Sequence, residues 1–147
     1  MMPAAVRSAE HDTKSPSDGT WKLVPEKSTS TGPMYKSRTL TITTGEDGTR
    51  KFQSEGITAD GKDLSGGYEA KLDGKDYPIT NHLTGADMSS LRRKSPRETM
   101  FTLKKEGKVV NSGTSTVSSD GKTMIIKVKG TGADGKPYTS TGVYEKQ

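Results

Sequence analysis

From residue 20 onward, apolar and β-branched side chains alternate with polar ones at a period of two, as in Arg38-Thr39-Leu40-Thr41-Ile42-Thr43. A period of two places alternate residues on opposite faces of a strand. No stretch carries the 3.6-residue apolar period of an amphipathic helix. The pattern predicts ten strands, over 20–24, 37–44, 49–57, 65–73, 76–81, 87–94, 97–105, 108–118, 122–131 and 137–145. Turn signals separate most of them. Asp-Gly occurs at 18–19, 47–48, 60–61, 73–74, 120–121 and 134–135, with Glu106-Gly107 in the same role. Asp-Gly between alternating runs is a strong hairpin signal, because the type I′ turn needs positive φ at both central residues. Four of these continue as Asp-Gly-Lys at irregular spacings, which reads as shared turn chemistry and not as a solenoid repeat. Segment 25–36 holds two prolines and a glycine and reads as a long loop.

Ten consecutive strands joined by short connections make an up-and-down antiparallel meander. Closing it into a barrel protects the edge strands, so the expected fold is all-β, a calycin-like barrel of about 8–10 strands over residues 18–147. Residues 1–17 lack periodicity and are expected to form a flexible tail. Their apolar stretch is too short for the core of a secretory signal. They fit a cytoplasmic protein with a loose tail or a mature exported, periplasmic domain supplied with a start Met, and the second is favoured.

Composition changes the picture in one respect. Leu, Ile, Val and Phe number only 21 of 147 residues, whereas Ser and Thr number 36. Net charge is +5, modest enough that the sparse apolar content does not itself imply disorder. A barrel of eight to ten strands has an interior that so few large side chains cannot fill, so the sequence predicts a lumen.

Alternation then maps the lining. If Tyr144 points inward, so do Gly142, Ser140 and Tyr138. Met124, Ile126 and Val128 share one face of the ninth strand, opposite Ile125, Lys127 and Lys129. Tyr68 and Leu72 share a face, as do Leu91 and Arg93. The apolar walls are expected from Leu72, Leu91, Met124, Ile126 and Val128, and the polar anchors from Tyr68, Tyr138, Tyr144 and Arg93. An inward arginine can fork an anionic group through paired hydrogen bonds. The same Arg93 in the run Arg92-Arg93-Lys94 also suits solvent or an ion pair at the barrel end. Trp21 reads as a plug at one barrel end beside Gly19.

Other chemistries are limited. The absence of cysteine removes disulfides and thiolate chemistry. Two histidines, no Ser-His-Asp order, no P-loop and no metal-ligand spacing leave neither metal nor cofactor expected. His82, with Tyr144 and Arg93, is the candidate set for proton transfer should the cavity be catalytic. The pI near 9.3 comes from lysines scattered through hairpin turns. Aromatics are 5% of residues, too few for base stacking, so no nucleic-acid partner is expected. No window approaches the roughly 18 apolar residues of a membrane-spanning helix.

Gly19-Thr20-Trp21-Lys22-Leu23 opens the first strand and Val143-Tyr144-Glu145-Lys146 closes the last. This pairing resembles the calycin superfamily of lipocalins and fatty-acid-binding proteins. It is nearest to small bacterial lipocalin-like domains that begin Gly-Thr-Trp-Lys-Leu. The resemblance, with the predicted lumen, implies binding of a small, partly polar hydrophobic ligand. A monomer or homodimer is expected. The alternatives are a cofactor-free lyase, isomerase or cyclase using the same cavity, and a structural or protein-interaction domain without a ligand. Two departures stand out: segment 25–36 cannot supply the helix–turn–helix of fatty-acid-binding proteins, and their Arg two positions before the Tyr is Gly142 here.

Overall fold

The computed structural model describes residues 15–32, 34–80, 86–132 and 135–147. Its strands are β1 (Gly19–Leu23), β2 (Thr29–Ser30), β3 (Tyr35–Thr44), β4 (Arg50–Thr58), β5 (Gly66–Ala70), β6 (Asp73–Thr80), β7 (Met88–Ser95), β8 (Glu98–Lys105), β9 (Lys108–Val117), β10 (Thr123–Thr131) and β11 (Pro137–Lys146). All neighbours pair antiparallel, and β1 pairs with both β3 and β11, which closes the sheet. The wall is thus a ten-strand up-and-down barrel. The two-residue β2 takes over along β11 where β1 leaves off: Leu23 faces Tyr144, and Ser30 faces Ser140.

Segment 25–36 departs from a plain loop. Pro25–Lys27 make one 3-10 turn, started by a proline whose missing N–H costs nothing there. Ser28 Oγ then donates to Val24 O and accepts from Val143 N, both at 2.9 Å, which fastens the segment to β11.

Turns form at Asp47-Gly48, Asp60-Gly61, Asp120-Gly121 and Glu106-Gly107, but mostly by another geometry. Positive φ at both central residues occurs at Glu106-Gly107 (51° and 83°). At Asp47-Gly48, Asp60-Gly61 and Asp120-Gly121 the glycine alone has positive φ. Gly48 N donates to Gly45 O, Gly61 N to Thr58 O and Gly121 N to Ser118 O, as in a turn whose last residue is left-handed. The aspartate side chain stabilises this form by accepting from the backbone two residues on, as Asp47 does from Thr49 N and Asp120 from Lys122 N, both at 3.0 Å. These bonds, with those from the Thr49 and Ser118 hydroxyls, hold both carboxyls below the usual carboxylate range. Asp73-Gly74 is not a turn at all. The chain reverses across residues 71–72, and the pairing of β6 with β7 shifts register between Asp73 and Asp76.

One barrel end gathers the β3–β4, β7–β8 and β9–β10 hairpins and the C-terminus. A turn at Ser15–Asp18 closes onto it, with Asp18 N donating to Ser15 O and Thr44 Oγ1 to Asp18 Oδ1 at 2.7 Å. Ser17 is buried. Residues 15–17, assigned from sequence to the tail, are therefore part of the barrel end. The remainder of the expected tail, 1–14, lies outside the described residues.

Inward side chains collect in two groups. Trp21, Leu40, Ile42, Val117, Met124, Ile126 and Tyr144 form one, and Tyr68, Ala70 and Leu91 the other. Phe52 and Phe101 pack against both. The Phe101 ring lies over Gly113, where a Cβ would come within 2.8 Å of it and 1.9 Å of the Lys127 carbonyl oxygen. Only a residue without a side chain permits that approach of β9 to β10.

Candidate functional site

Between these groups lies a cavity of about 360 Å³. Inward positions of β10 and β11 supply much of its wall. Met124, Ile126, Val128, Tyr138 and Tyr144 line it, as do Tyr68 from β5 and Leu91 from β7. Two residues expected on the wall are elsewhere. Leu72, in the β5–β6 reversal, is half-buried against the Tyr68 group. Arg93 shares the parity of Leu91, but it faces Thr99 just before the register shifts into the hairpin, and its side chain is exposed at the rim. His82 lies outside the described residues. Trp21 is fully buried at the end closed by residues 15–18, with Nε1 donating to Ser17 O at 2.9 Å and Lys146 Nζ 5.5 Å from its ring centre.

The guanidiniums on the wall belong instead to Arg38 of β3 and Arg50 of β4. Alternation contains the signal for both. Arg38 has the parity of Leu40 and Ile42, and Arg50 that of Phe52 and Ser54; each pattern extends the apolar face onto a cation. Arg38 is clasped by neutral groups: Nε donates to Ser54 Oγ at 2.7 Å, Nη1 donates to Tyr144 Oη at 3.1 Å, and the Tyr35 ring lies 4.6 Å beneath. Burial opposes its charge, but the Tyr144 and Tyr35 hydroxyls outweigh that and hold its pKa above the ordinary value. Tyr144 in turn folds over Gly142, whose Cβ would lie 3.0 Å from the tyrosine ring. The space left by glycine at 142 is thus taken by aromatic ring, and the arginine reaches the tyrosine hydroxyl from β3.

Arg50 is 5% exposed, with Nη1 donating to Thr99 Oγ1 at 3.2 Å and Nη2 to Ser15 Oγ at 3.3 Å. Among the described residues, no carboxylate forms an ion pair within 4 Å of either guanidinium. Arg50 Nε and the wall-lining Asn111 Oδ1 are buried with no hydrogen-bond partner among the described residues. Cations buried against neutral hydroxyls retain an unmet demand for negative charge. No group of three or more metal-ligating side chains occurs among the described residues.

Tyr68, stacked on Phe52 at 5.0 Å, is the most perturbed phenol. Burial pushes it up to about 12, against the pull of Arg50 and Arg38. It is therefore a hydrogen-bond donor near neutral pH and not a base. In the unfolded chain the phenol ionises near 10. Tyr68 thus favours folding fully below pH 10, and that contribution is lost as pH rises from 10 to about 12. The stability difference between the parent and Tyr68→Phe should change by about 2–3 kcal/mol across that interval, read by urea unfolding at successive pH values. A constant difference would show that the phenol is not buried as described.

No family model matches the chain, and no curated protein matches it. Its fold is a calycin-like ten-strand barrel with clear counterparts among solved structures. The wild-type fluorescent protein UnaG superposes with a TM-score of 0.57 at 14% identity, covering 89% of this chain and 97% of UnaG. Zebrafish ileal bile acid-binding protein, complexed with cholic acid, gives 0.52 at 12% identity, covering 90% and 100%.

Proposed function

We propose that the barrel binds a small hydrophobic molecule bearing an anionic group, its apolar body in the lumen and its anion on Arg38. The observation that carries this reading is a guanidinium on the wall of a largely apolar cavity, clasped by Ser54, Tyr144 and Tyr35 and by no ion-paired carboxylate among the described residues. Binding pockets have this composition, mainly apolar with a few placed polar groups. The cholic acid complex of the zebrafish protein supports the reading, since it joins an anionic ligand to a barrel of the same fold.

Dodecanoate and its neutral analogue dodecanol form the test pair. Dodecanoate is expected to bind with micromolar affinity by calorimetry and to raise the thermal midpoint at saturation. Dodecanol should bind at least about tenfold more weakly, the equivalent of one charge-assisted hydrogen bond. Equal affinities, or no binding of either, would refute the reading.

A further inference from the structure

We propose that Arg50 is a second anion anchor in the same lumen, so that the preferred ligand carries two acidic groups joined by an apolar spacer. The inference rests on the preceding reading and specifies its ligand class. Arg50 is more deeply buried than Arg38 and lines the same cavity. Among the described residues its hydrogen-bond partners are the neutral hydroxyls of Ser15 and Thr99, and Nε has none. Asp18 accepts from Thr44 Oγ1 at 2.7 Å and from Ser15 Oγ at 3.4 Å, so its charge reaches Arg50 through the Ser15 hydroxyl and not as a direct ion pair. A cation buried against neutral hydroxyls carries a desolvation cost that an incoming anion would offset.

The two anchors are spaced along one strand. Arg38 Nε is bonded to Ser54, and Ser54 and Arg50 are four residues apart on the inward face of β4, a run of about 13 Å. Between them lies the Phe52–Tyr68 stack, with the field of both arginines falling on Tyr68. The wall thus reads cation, aromatic surface, cation. A matching ligand has an anion at each end and an apolar or planar middle. Arginine stays protonated throughout the physiological range, so neither anchor switches off near neutrality.

The experiment compares dodecanedioate with dodecanoate by isothermal titration at pH 7.5. In the parent protein dodecanedioate should bind at least about tenfold more tightly. In Arg50→Gln that advantage should vanish, and in Arg50→Lys, which keeps the charge but not the fork, it should fall at least about threefold. Circular dichroism establishes that each variant is folded; should Arg50→Gln not fold, Arg50→Lys decides. Equal affinities in the parent would overturn the second anchor and leave the single-anion reading standing. Failure of both acids to bind would overturn both. A preference that survives in the folded variants would remove the role from Arg50.

Discussion

Arg38→Met should give a barrel that is at least as stable as the parent and binds dodecanoate about a hundredfold more weakly. The two halves of this expectation have one cause. Without a ligand the half-buried Arg38 charge is answered by Ser54, Tyr144 and the Tyr35 ring, with no ion-paired carboxylate among the described residues. Replacing such a buried charge with an apolar side chain of similar length is often neutral or stabilising. With an anionic ligand bound the sign reverses, because the ligand charge is left in the lumen without its partner. Losing one partner of a buried, hydrogen-bonded charge pair costs about 2–5 kcal/mol, and a hundredfold loss of affinity lies within that range. Thermal unfolding of the ligand-free variant and calorimetry with dodecanoate test the halves separately. If Arg38→Met lowers stability sharply and leaves dodecanoate affinity intact, the arginine is a structural strut and not a binding residue.

Trp21→Ala should be the most damaging single change to the fold. Trp21 has no exposed surface, packs with Leu40, Ile42, Met124 and Tyr144, and donates to Ser17 O. It faces Leu40 across β3 and Lys146 across β11, so it sits where the barrel closes. Truncating a buried tryptophan costs about 3–5 kcal/mol through lost transfer energy and the cavity left behind. For a domain of this size that is a large share of the whole stability. Far-UV circular dichroism in urea is the proper readout, since the variant loses its only tryptophan. Trp21→Phe, which keeps most of the volume and loses the indole hydrogen bond, should cost much less. A loss below about 1 kcal/mol in Trp21→Ala would mean that the closed end is not part of the cooperative unit.

The strands and the inward face of β10 were legible because a period of two is a local property of the chain. The closure was legible because ten successive strands with few large apolar residues have little other way to hide their edges. Most turn positions were readable too, Asp73-Gly74 excepted, but not turn type: an aspartate that bonds the backbone two residues on favours a left-handed glycine over the type I′ form. The cavity's cations were misplaced for a different reason. Arg93 has the right parity, yet it stands at a hairpin where an inward face becomes rim. Arg38 and Arg50 carry the same parity signal in β3 and β4, in the middle of the wall and at a barrel end that residues 15–18 cover.

The sequence by itself therefore determined which residues alternate, where the chain reverses and how little apolar volume is available to fill a barrel. The depth of each residue along the barrel axis was decided only by tertiary structure. Parity assigns a side chain to a face, whereas stagger between strands, hairpin shifts and the covering turn at the N-terminal end decide whether that face meets lumen or water. That is why Tyr144 finds its arginine on β3, two strands away around the wall, and not in its own strand.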